Sequence, residues 1–230
     1  MVTKGVTRRR APENVTARNV LRGLETRRQI LRAATGLFSA QGYGAVTMRE
    51  IAGRAGCSHT AIYLYFKDKE SLLEAIVFPA LEELRAALAV IKEAQGPGVE
   101  EKLLQMGHAV IDFSLARRSL HRVVFSAGAS RVDVPQREGS LNHARISVFR
   151  ILSGLCGDLL GFGPEDPRTL AAGRVWFFML NGIISTYEEN TETTKALRKR
   201  LHDTFDLALR SCISGMQAQF ARISAKGAKR

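Results

Sequence analysis

Apolar residues recur at intervals of three and four along most of this 230-residue chain, and alternating runs of useful length are absent. Ile30, Ala33, Ala34, Leu37 and Phe38 set the first stripe, predicting a helix from Glu25 that Gly42 ends as a left-handed cap. Windows without breakers predict further helices over roughly 69–94, 98–117, 119–128, 136–161, 167–189 and 194–222. Pro12, Pro97, Pro135, Pro164 and Pro167 fall in tail or loops. Pro79 falls inside the 69–94 window and is expected to kink or divide that helix, because proline removes a donor and crowds the preceding turn. The pattern predicts an all-α fold.

Residues 47–66, TMREIAGRAGCSHTAIYLYF, hold the densest local signals. Thr47 and Glu50 form a T-x-x-E capping box, so a short helix starts at Met48 with Ile51, Ala52 and Ala55 on its apolar face. Gly56 supplies a turn that needs positive φ, and Ser58 caps a second helix whose Ala61, Ile62 and Phe66 face inward. Two short helices crossing at small residues around a glycine turn predict a helix-turn-helix. Subtraction leaves His59, Thr60, Tyr63 and the neighbouring Leu64 and Tyr65 facing outward. Side chains near the start of such a helix can reach base edges in a major groove, and tyrosine hydroxyls and Lys69 suit phosphate oxygens.

Charge sharpens this reading. The formal net charge of +12 is divided as +7 over residues 1–80, −2 over 81–194 and +7 over 195–230. Basic ends around a neutral middle suit a polyanion, nucleic acid before membrane, because no basic amphipathic lipid-binding pattern accompanies them. The three cysteines are far apart and lack a C-x-x-C, so they read as thiols of a reducing cytoplasm. No stretch approaches the ~18 apolar residues of a membrane span, and the polar first thirty residues lack a signal-peptide core. These features predict a cytoplasmic protein. Residues 1–24, with Arg8, Arg9, Arg10, Arg18 and Arg22, read as a flexible basic arm.

Residues 26–76 resemble the DNA-binding module of the TetR family of bacterial one-component transcription regulators. The resemblance rests on RRQILRAATGLFSAQGY (27–43), the 47–66 pair and KDKESLLEAI (67–76). After the arm at 1–24, which is longer than the family's usual lead-in, it implies a helix-turn-helix domain at 25–70 and a helical ligand-binding and dimerisation domain at 71–230. It also implies a homodimer on palindromic double-stranded DNA, repressing, and released by a small ligand. Carried over by position, Thr47 is a phosphate-contacting cap and Arg49 reaches a base. Ser58, His59, Thr60 and Ala61 form the reading start, and Tyr63, Tyr65 and Lys69 touch the backbone. Ala61 stands where many relatives carry a hydroxyl, and Leu64 where an aromatic is common, so the operator sequence is not inherited.

The rest of the chain carries no nucleophile elbow, glycine-rich phosphate loop or cofactor motif, and its histidines lack metal-ligand spacing. An enzyme is therefore not expected; a body that senses a protein partner stays open. The run VWFFML (175–180) is apolar all round, which predicts burial on two sides, one of them against a second subunit. With the stripe Leu197, Leu201, Phe205, Leu209, Ile213, Met216 and Phe220, it resembles the two helices that each TetR-family subunit contributes to a four-helix dimer bundle. Phe113, Phe125, Phe149 and Trp176 are candidates to line a ligand chamber, and few charges fall on those faces, which predicts an apolar or aromatic ligand. A shift of the helix around Pro79 is the expected switch.

Overall fold

The computed structural model describes residues 13–126 and 140–227, with side chains for 17–124 and 142–223. Arg8, Arg9, Arg10 and the Phe125 side chain lie outside the described residues. Within them every regular element is a helix: α1 (Glu13–Gln41), α2 (Met48–Arg54), α3 (His59–Ile62), α4 (Lys69–Glu93), α5 (Val99–Ala116), α6 (Arg118–Ser126), α7 (Ser140–Leu160), α8 (Pro167–Thr186) and α9 (Thr194–Gly227).

The head is built from α1, α2, α3 and the start of α4. Ile30, Ala34 and Phe38 of α1 are buried with Ile51 and Ala52 of α2, Ile62 of α3, and Phe66, Leu72 and Leu73. Gly42 (φ +82°) ends the cap, its N–H donating to the Phe38 carbonyl at 3.0 Å. Two sequence expectations are revised here. First, α1 begins at Glu13, so residues 13–24 are helical rather than a flexible arm. Val20, Leu21 and Leu24 are exposed on that stretch, so no buried stripe marks it, and helical periodicity has nothing to report. Second, α3 is a single turn. Beyond it the Leu64 and Tyr65 amides bond three residues back, to Ala61 and Ile62, while the Phe66 amide returns to Ile62 at 3.0 Å and seats its ring in the core.

Pro79 does not divide α4, which runs unbroken from the head into the body. Asp68 caps it, its Oδ1 accepting from the Ser71 amide at 2.7 Å. Proline leaves one carbonyl of the preceding turn without its helical donor, a defect that packing on both sides of it outweighs. Leu72, Leu73 and Val77 are buried before Pro79, and Leu81, Leu84 and Leu88 after it.

In the body, α7 and α8 cross at small residues. A Cβ on Gly173 of α8 would fall 2.4 Å from Ser153 Cβ, and one on Gly157 of α7 would fall 2.8 Å from Thr169 Oγ1. Trp176, fully buried, lies with Leu209 against Gly107 of α5, where a Cβ would meet the indole at 2.9 Å. Asp166 caps α8 through the Arg168 amide, with Pro167 at the first helical position where a missing donor costs nothing.

The α9 stripe also needs correction. Leu197, Phe205, Leu209, Ile213 and Met216 are buried inside their own subunit, against a core that includes α5 and α8. The apolar surface left outward is narrower: Val175 and Phe178 (66% exposed) on α8, and Leu207 and Ile223 on α9. The VWFFML run thus has two sides, Trp176 and Leu180 in the core and Val175 and Phe178 outside.

Candidate nucleic-acid interface and body cavity

The turn between α2 and α3 is closed locally. Gly56 takes φ +70°, and the Cys57 amide donates to the Ala52 carbonyl at 3.0 Å. Ser58 Oγ accepts from the Ala61 amide at 3.1 Å, which caps α3. At the start of α2 the Thr47 amide donates to Glu50 Oε2 at 2.8 Å, and the Glu50 amide returns to Thr47 Oγ1 at 3.3 Å. The Thr47 hydroxyl donates to the same carboxylate at 2.7 Å. The Thr47 hydroxyl and amide hold Glu50 below the usual carboxylate range.

With the apolar sides of α2 and α3 buried, the remaining side chains share one open surface. Arg49, Ser58, His59 and Thr60 are exposed, Tyr63 is largely exposed, and Ala61 and Tyr65 are half-buried. His59 and Tyr63, one helical turn apart, meet edge to face with ring centroids 5.3 Å apart and Tyr63 Oη 3.5 Å from His59 Nε2. The pair stiffens two side chains that would otherwise sample many rotamers. Tyr65 leans the other way: a Cβ on Gly23 would lie 3.9 Å from its hydroxyl, so it sits against the N-terminal part of α1. Leu64, 83% exposed, is the most open apolar side chain of the surface.

The Lys69 ammonium is engaged within the protein. Its Nζ donates to the carbonyls of Tyr43 and Val46, each at 2.8 Å, with Gly44 at 3.5 Å, and it lies 4.4 Å from the centre of the Tyr43 ring. An ammonium has three donors, and all point into the α1–α2 loop. Lys69 is a positioning residue that ties α4 to the start of α2. Its partners lie 23 to 26 positions away in sequence, beyond the reach of any local pattern.

The body encloses a cavity with about 690 Å³ of empty space, its mouth included, between α4, α5, α6, α7 and α8. Phe113 of α5 and Phe149 of α7 line it, as does Phe177 of α8; Trp176 does not, its indole being turned to α5. The wall is less uniformly apolar than the aromatic positions suggest, because Arg145, His121, Asn181 and Ser114 are in it. Arg145 is not among the candidates from sequence, yet its position carries a signal: it shares the 145, 148, 149, 152 face of α7 with Val148, Phe149 and Leu152, an arginine on an apolar stripe. His121 Nδ1 lies 3.6 Å from Glu188 Oε1, and burial pushes the imidazole below its ordinary pKa. The same Glu188 oxygen is 3.5 Å from Arg122 Nε, and Arg122 Nη1 donates to the Ser39 carbonyl of α1 at 3.2 Å. A polar chain therefore runs from the cavity wall to the head. Among the described residues no helix is long and apolar enough to cross a membrane.

Comparison with known proteins agrees with this geometry. Residues 30–76 match the family profile described as "Bacterial regulatory proteins, tetR family". The regulator BetI of Cronobacter sakazakii is 29% identical over 176 residues, covering 74% of this chain and 86% of BetI. The transcriptional repressor Rv1474c of Mycobacterium tuberculosis is 30% identical over 168 residues, covering 64% of this chain and 87% of that protein. Among solved structures, a tetR-family regulatory protein from Rhodococcus RHA1 superposes with a TM-score of 0.59 at 25% identity, over 80% of this chain and 95% of the other.

Proposed function

Because this chain belongs to the TetR family of bacterial transcription regulators, we propose that it is a homodimeric repressor that holds a palindromic operator until a small molecule fills its body. One observation carries the DNA-reading part. Every apolar side chain of α2 and the Ile62 side of α3 is buried, which leaves Arg49, Ser58, His59, Thr60 and Tyr63 together on an open surface. Arg49, His59 and Thr60 read base edges; Tyr63 and Tyr65 touch phosphates, while Ser58 and Thr47 hold the helix starts and Ala61 brings the backbone close. The basic N-terminal residues add sequence-independent attraction.

Two copies are needed because one such head buries too little surface for tight specific binding, and a two-fold pair of heads reads two half-sites one turn of duplex apart. The outward Val175, Phe178 and Leu207 supply the contact. Next to Leu207 on α9, the exposed Ser211, Ser214, Gly215 and Ala218 allow close helix approach. Repression is supported by the similarity to Rv1474c of Mycobacterium tuberculosis, a transcriptional repressor, and a DNA-binding role suits the cytoplasm.

Release follows if the ligand binds the DNA-incompetent form more tightly; a tenfold loss of operator affinity needs about 1.4 kcal/mol of differential binding. The route from cavity to head is α4, continuous across Pro79, together with the His121–Glu188–Arg122–Ser39 chain. The test is selection from random duplexes with the full-length protein. A shared inverted repeat is the expected result; enrichment of no sequence at low ionic strength would overturn the reading.

A further inference from the structure

The cavity wall carries a charge that no described residue balances. Arg145 is 5% exposed, and its Nε and Nη2 are shielded from solvent with no hydrogen-bond partner among the described residues. None of the ion pairs of the described residues involves it, and none of the described residues lining the cavity is an aspartate or glutamate. The other titratable group in the wall, His121, is disfavoured from carrying charge by its burial. Burial also lowers the Arg145 pKa, but a guanidinium stays protonated at neutral pH, so one positive charge persists in an apolar enclosure. A buried cation without a counter-ion is strongly unfavourable, and a bound anion is one way such an unsatisfied group is accounted for.

We propose that the ligand of this cavity is a monoanionic amphiphile, with a single carboxylate on Arg145 and an apolar alkyl or aryl body against Phe113, Phe149 and Phe177. This rests on the reading of the body as a ligand chamber and adds the chemical class. One guanidinium balances one negative charge, and a dianion would leave an uncompensated charge among phenyl rings. The planar fork of arginine matches the two oxygens of a carboxylate. The apolar-ligand expectation is thereby kept for the body of the molecule and revised for its head.

The test uses full-length protein and two matched pairs of probes, octanoate with 1-octanol and 4-phenylbutyrate with 4-phenyl-1-butanol. Binding is read by calorimetry and by the emission of the single Trp176, which neighbours the cavity-lining Phe177. Each acid is expected to bind at least tenfold more tightly than its alcohol. In Arg145→Met the acids lose that advantage while the alcohols bind at least as well, and Arg145→Lys restores part of it. Ligand-free Arg145→Met is expected to melt no lower than the natural protein, since an uncompensated charge has gone. A lower melting temperature would mean that Arg145 has a partner inside the protein and would overturn the proposal. Equal affinity for acid and alcohol also overturns it, yet leaves the chamber standing. Binding of none of the four probes removes the chamber reading as well.

Discussion

Lys69 engages Tyr43 twice, donating to its carbonyl oxygen at 2.8 Å and lying 4.4 Å from the centre of its ring. Since the ammonium is spent within the protein, Lys69→Ala is expected to lower the melting temperature and weaken DNA binding by disordering the α1–α2 loop. The slope of log affinity against log salt stays unchanged. A lysine that neutralised a phosphate would reduce that slope by about one on removal. Measuring affinity at several salt concentrations separates the two roles.

The open surface of the helix-turn-helix divides by chemistry. Tyr63→Phe is expected to weaken binding to all duplexes about equally, because it removes a backbone-contacting hydroxyl. Arg49→Ala and His59→Ala are expected to cost about 1–3 kcal/mol on the preferred site and to relax preference at single positions. Repeating the random-duplex selection with each variant reads this directly; unchanged preference in both alanine variants would refute the base-reading assignment.

Phe178 projects from α8 beside Val175 with nothing of its own subunit over most of its ring. Phe178→Glu is expected to give a monomer by sedimentation with little loss of helicity. Its affinity for a palindrome should fall far below that of the dimer, toward that of a half-site.

Close approach of α7 and α8 depends on Gly173. Gly173→Ala forces its methyl into Ser153, whose backbone Cα is only 2.9 Å from the added atom, and is expected to destabilise by about 1–3 kcal/mol. Gly154→Ala on α7 meets nothing within 4 Å and is expected to stabilise by about 0.5–1 kcal/mol through helix propensity. Denaturant midpoints of the pair check the crossing.

Stability is also expected to fall in mild acid. Burial depresses the His121 pKa below its ordinary 6.5, so the unfolded chain takes up this proton first. Its contribution is fully present above about pH 6.5 and is lost as pH falls through the depressed value, with Glu188 and Asn181 facing it in the fold and opposing the shift. His121→Gln should flatten the melting temperature between pH 7 and 5. An unchanged slope would remove His121 as the cause.

What could be read from the chain alone was what short-range chemistry determines. Thr47 and Glu50, Gly56, and Ser58 with the Ala61 amide act within three residues of one another, so their caps and turn are legible wherever the string is legible. Periodicity likewise identified the helices, because one buried side leaves a mark every three or four positions. It says nothing of what that side is buried against, and there the expectations diverged from the structure. The α9 stripe turned to its own subunit rather than a partner, and Trp176 turned to Gly107 rather than the cavity. The helical stretch ahead of Glu25 left no stripe, since residues 17–24 bury no apolar side chain. Lys69 and Arg145 mark the same boundary from two sides. Both are cations in helices, and only three-dimensional packing decided that one would be bound by three carbonyls and the other left in an apolar wall with no described counter-charge. Partners separated by tens of residues meet through tertiary contacts, and no local pattern encodes them.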